Sequence, residues 1–225
     1  MIDPQRIAAN VAAVRQEIAA ACAVAGREPA SVTVIAVTKT QGPEILPALR
    51  EAGIRDFGEN RIEHLHEMVT HAQPGDRWHY IGRVQSRQLA KLAPLVHALH
   101  SLCDPDHVER LARSCIQSGL RLPVYLQVNT SGEAAKAGLA PEGLPALLAA
   151  VRAQPALEAL GLMTMAPDQE AHANAAAVRA CFARLRALAV ANGLPGLSMG
   201  MSGDFAIAVA EGATVVRVGS RLFNP

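Results

Sequence analysis

Short runs rich in Val and Ile alternate along this chain with longer Ala- and Leu-rich stretches of helical period. Strands are predicted at Val32–Thr38, Ile54–Phe57, Trp78–Ile81, Ala98–Leu102, Pro123–Val128, Ala159–Met163, Leu197–Met199 and Thr214–Val218. Helical patterns lie between them at Pro43–Ala52, Ile62–His71, Arg87–Ala93, Asp106–Ser118, Pro141–Val151, His172–Asn192 and Asp204–Glu211. An amphipathic helix precedes the first strand, from Pro4 to about Ala25, with Asp3 as N-cap and Gly26 just past its end. Strands separated by helices of this length imply right-handed βαβ units and a parallel sheet. Eight of them in 225 residues predict an α/β fold, a single (β/α)₈ TIM-type barrel with an extra N-terminal helix, as one domain over residues 1–225. An open doubly wound sheet is the alternative. No GxGxxG follows any strand, which weakens its dinucleotide-binding version.

Composition narrows the picture. Half the residues are hydrophobic but only 3% are aromatic, so the core is built from Ala, Leu, Val and Ile. A net charge of +1 without a basic stripe favours neither nucleic acid nor an anionic membrane as partner. No apolar run is expected to reach the roughly 20 residues of a membrane span. The N-terminus is charged throughout and lacks a signal-peptide pattern, so a cytoplasmic location is expected. No long exposed apolar stripe is evident, which favours a monomer. Cys22, Cys103, Cys115 and Cys181 are scattered and read as reduced structural thiols. His64 and His66 are two residues apart, pointing about 200° away from each other on a helix, so no metal site is expected.

The distribution of cations then singles out one residue. The chain has eighteen arginines and three lysines, Lys39, Lys91 and Lys136. In VTVIAVTK, Thr33, Ile35, Val37 and Lys39 share a face. If Ile35 and Val37 point into the barrel, Lys39 reaches its upper mouth, where partial desolvation frees the amine as a nucleophile. A snorkelling rim lysine is the alternative. In TVVRVGS, Val215 and Arg217 share a face, and strand eight adjoins strand one in a closed barrel. Arg217 is thus expected beside Lys39, or else in a structural ion pair. Barrels often bind phosphate on the loops after strands seven and eight, beside a short helix N-terminus. Those loops contain Ser202 and Gly219-Ser220, with Ser202 readable also as the N-cap of the following helix.

The segments VIAVTKT, FGENRIEHL, WHYIGRVQS and LSMGMSGDFAIAVAEGATVVRVGSRLF together resemble the YggS/PROSC family of pyridoxal-phosphate-binding homeostasis proteins. The resemblance runs nearly the whole chain. It implies the alanine racemase barrel without that enzyme's second domain, and fold-type-III binding of pyridoxal 5′-phosphate (PLP). It implies that Lys39 carries the cofactor as an internal Schiff base and that Arg217 faces the pyridine nitrogen. Ser202, Gly219 and Ser220 are implied as phosphate ligands, and Asn60 and Met199 as lining for the ring. Lys136 matches a lysine of the family's N-x-S-x-x-x-x-K-x-G loop, with a role in cofactor transfer. The family's usual Pro-Leu-Gln-Ser-Asn-Lys is replaced by Arg83-Val84-Gln85-Ser86-Arg87-Gln88, and a commonly acidic residue by Gly203.

An arginine at the pyridine nitrogen leaves that nitrogen unprotonated, so the ring is a weak electron sink and transamination is disfavoured. Racemisation needs a second acid/base on the opposite face. Tyr80 and Tyr125 lie within strands and read as packing residues. The expected function is therefore a carrier that holds PLP, releases it and supplies PLP-requiring apo-enzymes. A weak amino-acid racemase, a cofactor-free Schiff-base aldolase and a docking module are the alternatives.

Overall fold

The structure is a computed structural model that describes residues 3–133, 136–167 and 175–224. Eight parallel strands close into a barrel in sequence order. They are β1 (Thr33–Val37), β2 (Asp56–Glu59), β3 (Arg77–Tyr80), β4 (Ala98–Leu102), β5 (Leu122–Gln127), β6 (Leu157–Met163), β7 (Gly196–Ser198) and β8 (Val215–Val218). The helices are α1 (Pro4–Val24), α2 (Leu46–Glu51), α3 (Ile62–Val69), α4 (Leu89–Leu92), α5 (Pro105–Gln117), α6 (Leu144–Arg152), α7 (Ala175–Ala191), α8 (Phe205–Ala210) and α9 (Ser220–Phe223). All eight predicted strands form. The second starts two residues late and runs through Glu59. Residues 172–174 of the seventh predicted helix lie outside the described residues.

Asp3 caps α1 as expected, its carboxylate accepting the Gln5 N–H at 3.0 Å. The helix corrects one expectation. It is 21 residues long with a mean hydropathy of 1.3 in its most apolar window, enough by length and composition to cross a membrane. Here Ile7, Val11, Val14, Ile18 and Cys22 form a buried stripe at helical spacing, packed toward α2, α8 and α9. The helix after β8, α9, has only four residues, too few to cover its share of the barrel wall. α1 fills that place. Asn10 fastens it to the C-terminal segment by donating to the Leu222 and Asn224 carbonyls at 3.1 and 3.2 Å.

The main core lies between barrel and helices. The barrel interior is filled differently: a small apolar cluster of Ile35, Tyr125, Met163 and Val215 shares it with polar side chains.

Candidate functional site

Strand period decides what reaches the barrel mouth. On β1, Ile35 enters the interior cluster while Ala36 joins the outer core. The same face leads through Val37 to Lys39, in the turn beyond the strand. On β8, Val215 and Arg217 face inward, and Arg217 lies in register with Ile35. Lys39 and Arg217 thereby line one cavity of about 420 Å³ at the C-terminal ends of the strands. Asn60, Ser202, Gly203, Gly219 and Ser220 complete its polar wall, and Met163, Met165 and Met201 much of its apolar wall.

Lys39 is exposed, so the barrel wall does not desolvate it as expected; the turn carries it beyond the packed strand. That turn is firmly held. The Gln41 N–H donates to the Thr38 carbonyl at 2.7 Å. The Thr38 hydroxyl donates to Glu59 Oε1 at 2.5 Å, and His64 Nδ1 lies 2.8 Å from Glu59 Oε2. Glu59 is fully buried, so the carboxylate is committed to this clamp.

Arg217 is 4% exposed. Its Nη1 donates to Ser198 Oγ at 2.7 Å and its Nη2 to the Thr164 carbonyl at 2.9 Å. These partners are a hydroxyl and a backbone carbonyl, not the carboxylate of the ion-pair alternative. Burial lowers its pKa to about 10, with nearby Asp204 opposing the shift. The guanidinium therefore stays charged at neutral pH and keeps further N–H donors for the cavity.

The loops after β7 and β8 meet through Ser202. Its hydroxyl oxygen accepts the Gly219 N–H at 3.1 Å and the Arg221 N–H at 3.4 Å. The capping alternative for Ser202 is corrected, because α8 starts at Phe205 with Asp204 in the cap position. Asp204 instead accepts the Met201 N–H at 2.5 Å, which folds the loop over itself. Gly200 makes that fold feasible: its φ is 93, and a Cβ there would lie only 2.5 Å from the Ala208 Cβ. Asn60 leaves its Oδ1 buried without a hydrogen-bond partner. A buried cation and an orphaned acceptor in one cavity both call for a polar ligand.

Two expected residues are elsewhere. Met199 does not line the cavity: Ser198 faces inward, so the next side chain points into the outer core, where Met199 is fully buried. Met163, Met165 and Met201 take its place. Lys136 lies outside the cavity lining, in a loop whose carbonyls at Glu133 and Lys136 accept from Asn129 Nδ2. Ala134 and Ala135 of that loop lie outside the described residues. Both tyrosines pack as expected. Tyr80 donates to the Asn60 carbonyl at 3.2 Å from the outer core, and Tyr125 stacks on His100 at 4.4 Å inside the barrel.

The alanine racemase N-terminal domain family matches residues 2–224. The chain is 43% identical over 221 residues to the pyridoxal phosphate homeostasis protein of Pseudomonas aeruginosa, covering 97% of this chain and 95% of that protein. It is 34% identical to the same-named protein of Aquifex aeolicus, over 94% of each. This chain belongs to the pyridoxal phosphate homeostasis protein family.

Solved structures agree with that membership. PipY of Synechococcus elongatus, solved with PLP bound, is 32% identical with a TM-score of 0.83, covering 97% of this chain and all (100%) of that one. Its PLP-free structure gives a TM-score of 0.85. Alanine racemase from Corynebacterium glutamicum, at 16% identity and a TM-score of 0.72, shares the fold; the match covers 61% of that longer chain. This homeostasis-family barrel also has polar interior residues that strand patterns alone left unassigned: Asp56, His79, His100 and Ser198. Their signal was present, since each is a polar residue at an inward position of a strand.

Proposed function

We propose that this protein binds PLP in the mouth cavity and acts as a cofactor carrier, holding PLP on Lys39 and releasing it to PLP-requiring apo-enzymes. The observation that carries the reading is the meeting of Lys39 and Arg217 in one cavity with the Ser202 and Gly219-Ser220 loops, in a chain of this family. The residues fit the group. Lys39 offers a primary amine, Arg217 charged N–H donors, and Asn60 an unpaired acceptor. Ser202 and Ser220 offer hydroxyl donors to a phosphate, and Gly219 lets its backbone come close to one. At Gly219 a Cβ would meet only Val37, its carbonyl oxygen at 3.4 Å and its Cβ at 3.5 Å, ordinary contacts, so the chain's own packing does not demand glycine there. A close approach by an anion does supply a reason.

PLP supplies an aldehyde that condenses with a primary amine and a ring that draws electrons from it. Arg217 would donate a hydrogen bond to the ring nitrogen and, remaining charged at neutral pH, would not transfer a proton to it. Among the described residues lining the cavity, only Lys39 and Arg217 can ionise. Neither tyrosine reaches it, so among the described residues no second acid/base lines the cavity with Lys39. This favours holding over turnover, and favours the carrier over a racemase.

The test is borohydride reduction of PLP-loaded protein followed by peptide mapping. Label is expected on Lys39 and absent from the Lys39→Ala variant; label confined to Lys91 or Lys136 overturns the assignment. Robust racemisation of amino acids that depends on Lys39 would favour the enzyme. Borohydride trapping of a sugar phosphate on PLP-free protein would favour the aldolase. For Lys136, we propose a part in release: Lys136→Ala should load PLP normally and hand it more slowly to an apo-enzyme. We further propose a cytoplasmic monomer. Among the described residues, the large exposed apolar side chains are Val24 on α1, Ile116 on α5, Leu120 just beyond α5 and Val190 on α7, few in number and spread over three helices. Light scattering should return the 23.7 kDa of one chain.

A further inference from the structure

The barrel centre spends polar side chains where apolar ones would pack more simply. Asp56 sits at the start of β2, His79 and His100 in the middle of β3 and β4, and Ser198 at the end of β7. All four are buried. They join into one line. Asp56 Oδ1 lies 2.9 Å from His79 Nε2, and His79 Nδ1 lies 3.0 Å from His100 Nε2. His100 Nδ1 lies 2.8 Å from Ser198 Oγ, which receives Arg217 Nη1 at 2.7 Å. At the other end, Arg77 grips Asp56 with two hydrogen bonds, at 2.7 and 2.5 Å. Asp56 and Arg77 border a cavity of about 360 Å³ at the opposite mouth, so the line crosses the whole barrel.

With one proton on each histidine, its ends dictate where every proton between them sits. A guanidinium only donates, so Ser198 Oγ accepts from Arg217 and turns its own O–H to His100 Nδ1. A carboxylate only accepts, so His79 carries its proton on Nε2. Neutral His79 then accepts at Nδ1, which requires the proton of His100 to be on Nε2. The assignments made from the two ends agree, and each hydrogen bond points the same way. A second proton on either histidine would break this order. His100 would then donate from Nδ1 to Ser198, and the hydroxyl proton would lose its acceptor. Complete burial drives the His100 pKa well below its usual value, and the Arg217 charge acts in the same direction.

We propose that Asp56, His79, His100 and Ser198 are positioning residues for Arg217: a one-directional hydrogen-bond chain that fixes the guanidinium for the cofactor before the cofactor arrives. Ser198 and the Thr164 carbonyl hold two of its nitrogens, and the chain holds Ser198. Ordering the side chain in advance removes a cost that binding would otherwise carry. This inference rests on the reading of the mouth cavity as the PLP site.

The experiment is a double-mutant cycle read as the PLP dissociation constant, with thermal melting of each PLP-free protein alongside. His100→Leu removes the middle of the chain and should weaken PLP binding about tenfold. In an Arg217→Lys background, where there is no guanidinium to orient, the same change should have little further effect. Asp56→Asn, at the far end and nearly isosteric, should show a smaller loss with the same dependence on Arg217. It carries the test if His100→Leu does not fold. As a control, Asn60→Ala, which acts from another wall, should add to His100→Leu. Unchanged affinity in both folded chain variants overturns the proposal. So does a loss of equal size with and without Arg217, because that marks a general packing defect. If the unaltered protein fails to bind PLP, the cofactor reading falls first, and this inference falls with it.

Discussion

Arg217 concentrates the chemistry of the site because it is a cation removed from water and met by neutral partners. Its Nη1 and Nη2 bonds to Ser198 and Thr164 come from one rigid planar fork. A lysine is a point charge on a flexible stem and cannot reproduce both bonds. Arg217→Lys is therefore expected to weaken PLP binding on the order of tenfold to a hundredfold, the worth of a charged hydrogen bond. A fluorescence or absorbance titration of PLP-free protein measures it. Asn60 makes a milder case. Its Oδ1 is orphaned without ligand, so Asn60→Ala should leave the melting temperature of the PLP-free protein nearly unchanged while raising the PLP dissociation constant. A large loss of stability with unchanged binding would mean that Asn60 serves the fold alone.

Elements deliver these residues by strand period and by close contact between neighbouring strands. β6 and β7 pair through Gly161 and Gly196. A Cβ at Gly161 would lie 2.0 Å from the Gly196 carbonyl oxygen, and the obstacle is backbone that has nowhere to move. Gly161→Ala should thus cost about 3 kcal/mol or more, at the upper end of overpacking penalties, and show as a lowered melting temperature. β7 also shows how one strand sorts its residues. Ser198 faces the interior and holds Arg217, so its neighbour Met199 is turned into the helix layer. The motif resemblance placed Met199 at the ring; period-two alternation places it outside. α1 illustrates the opposite lesson. Its hydropathy resembles that of a membrane span, and only its packing against α2, α8 and α9 identifies it as part of the barrel wall.

For the molecule as a whole, acid should expose the buried polar line. Burial alone would raise the Asp56 pKa, but its hydrogen bonds to His79 and Arg77 prevail and hold it at about 2. The folded value is thus below the unfolded one, so this carboxylate contributes stability that is present above about pH 4 and lost as pH falls toward 2. A shift of this size corresponds to on the order of 2 kcal/mol. Asp76 is lowered as well, with Arg50 the chief partner opposing its desolvation, and acts in the same direction. Urea midpoints should therefore fall from neutral pH to strong acid. Asp56→Asn should start lower at neutral pH and fall less steeply; an unchanged slope would sink the assignment.

The order of residues alone was enough to find the eight strands, the barrel they close and the pairing of Lys39 with Arg217 at one mouth. Those conclusions rest on local alternation and on the adjacency of first and last strands, both of which a linear pattern carries. Ser202, Gly219 and Ser220 were legible for the same reason, as loop residues after known strands. Packing in three dimensions settled the rest. It left Lys39 exposed on a clamped turn, buried Met199 in the helix layer and joined Ser202 to the Gly219 and Arg221 N–H groups. It also aligned Asp56, His79, His100 and Ser198, which come from four different strands. Hydrogen bonds among residues as much as 98 positions apart depend on shear, register and rotamer, and no local pattern records those.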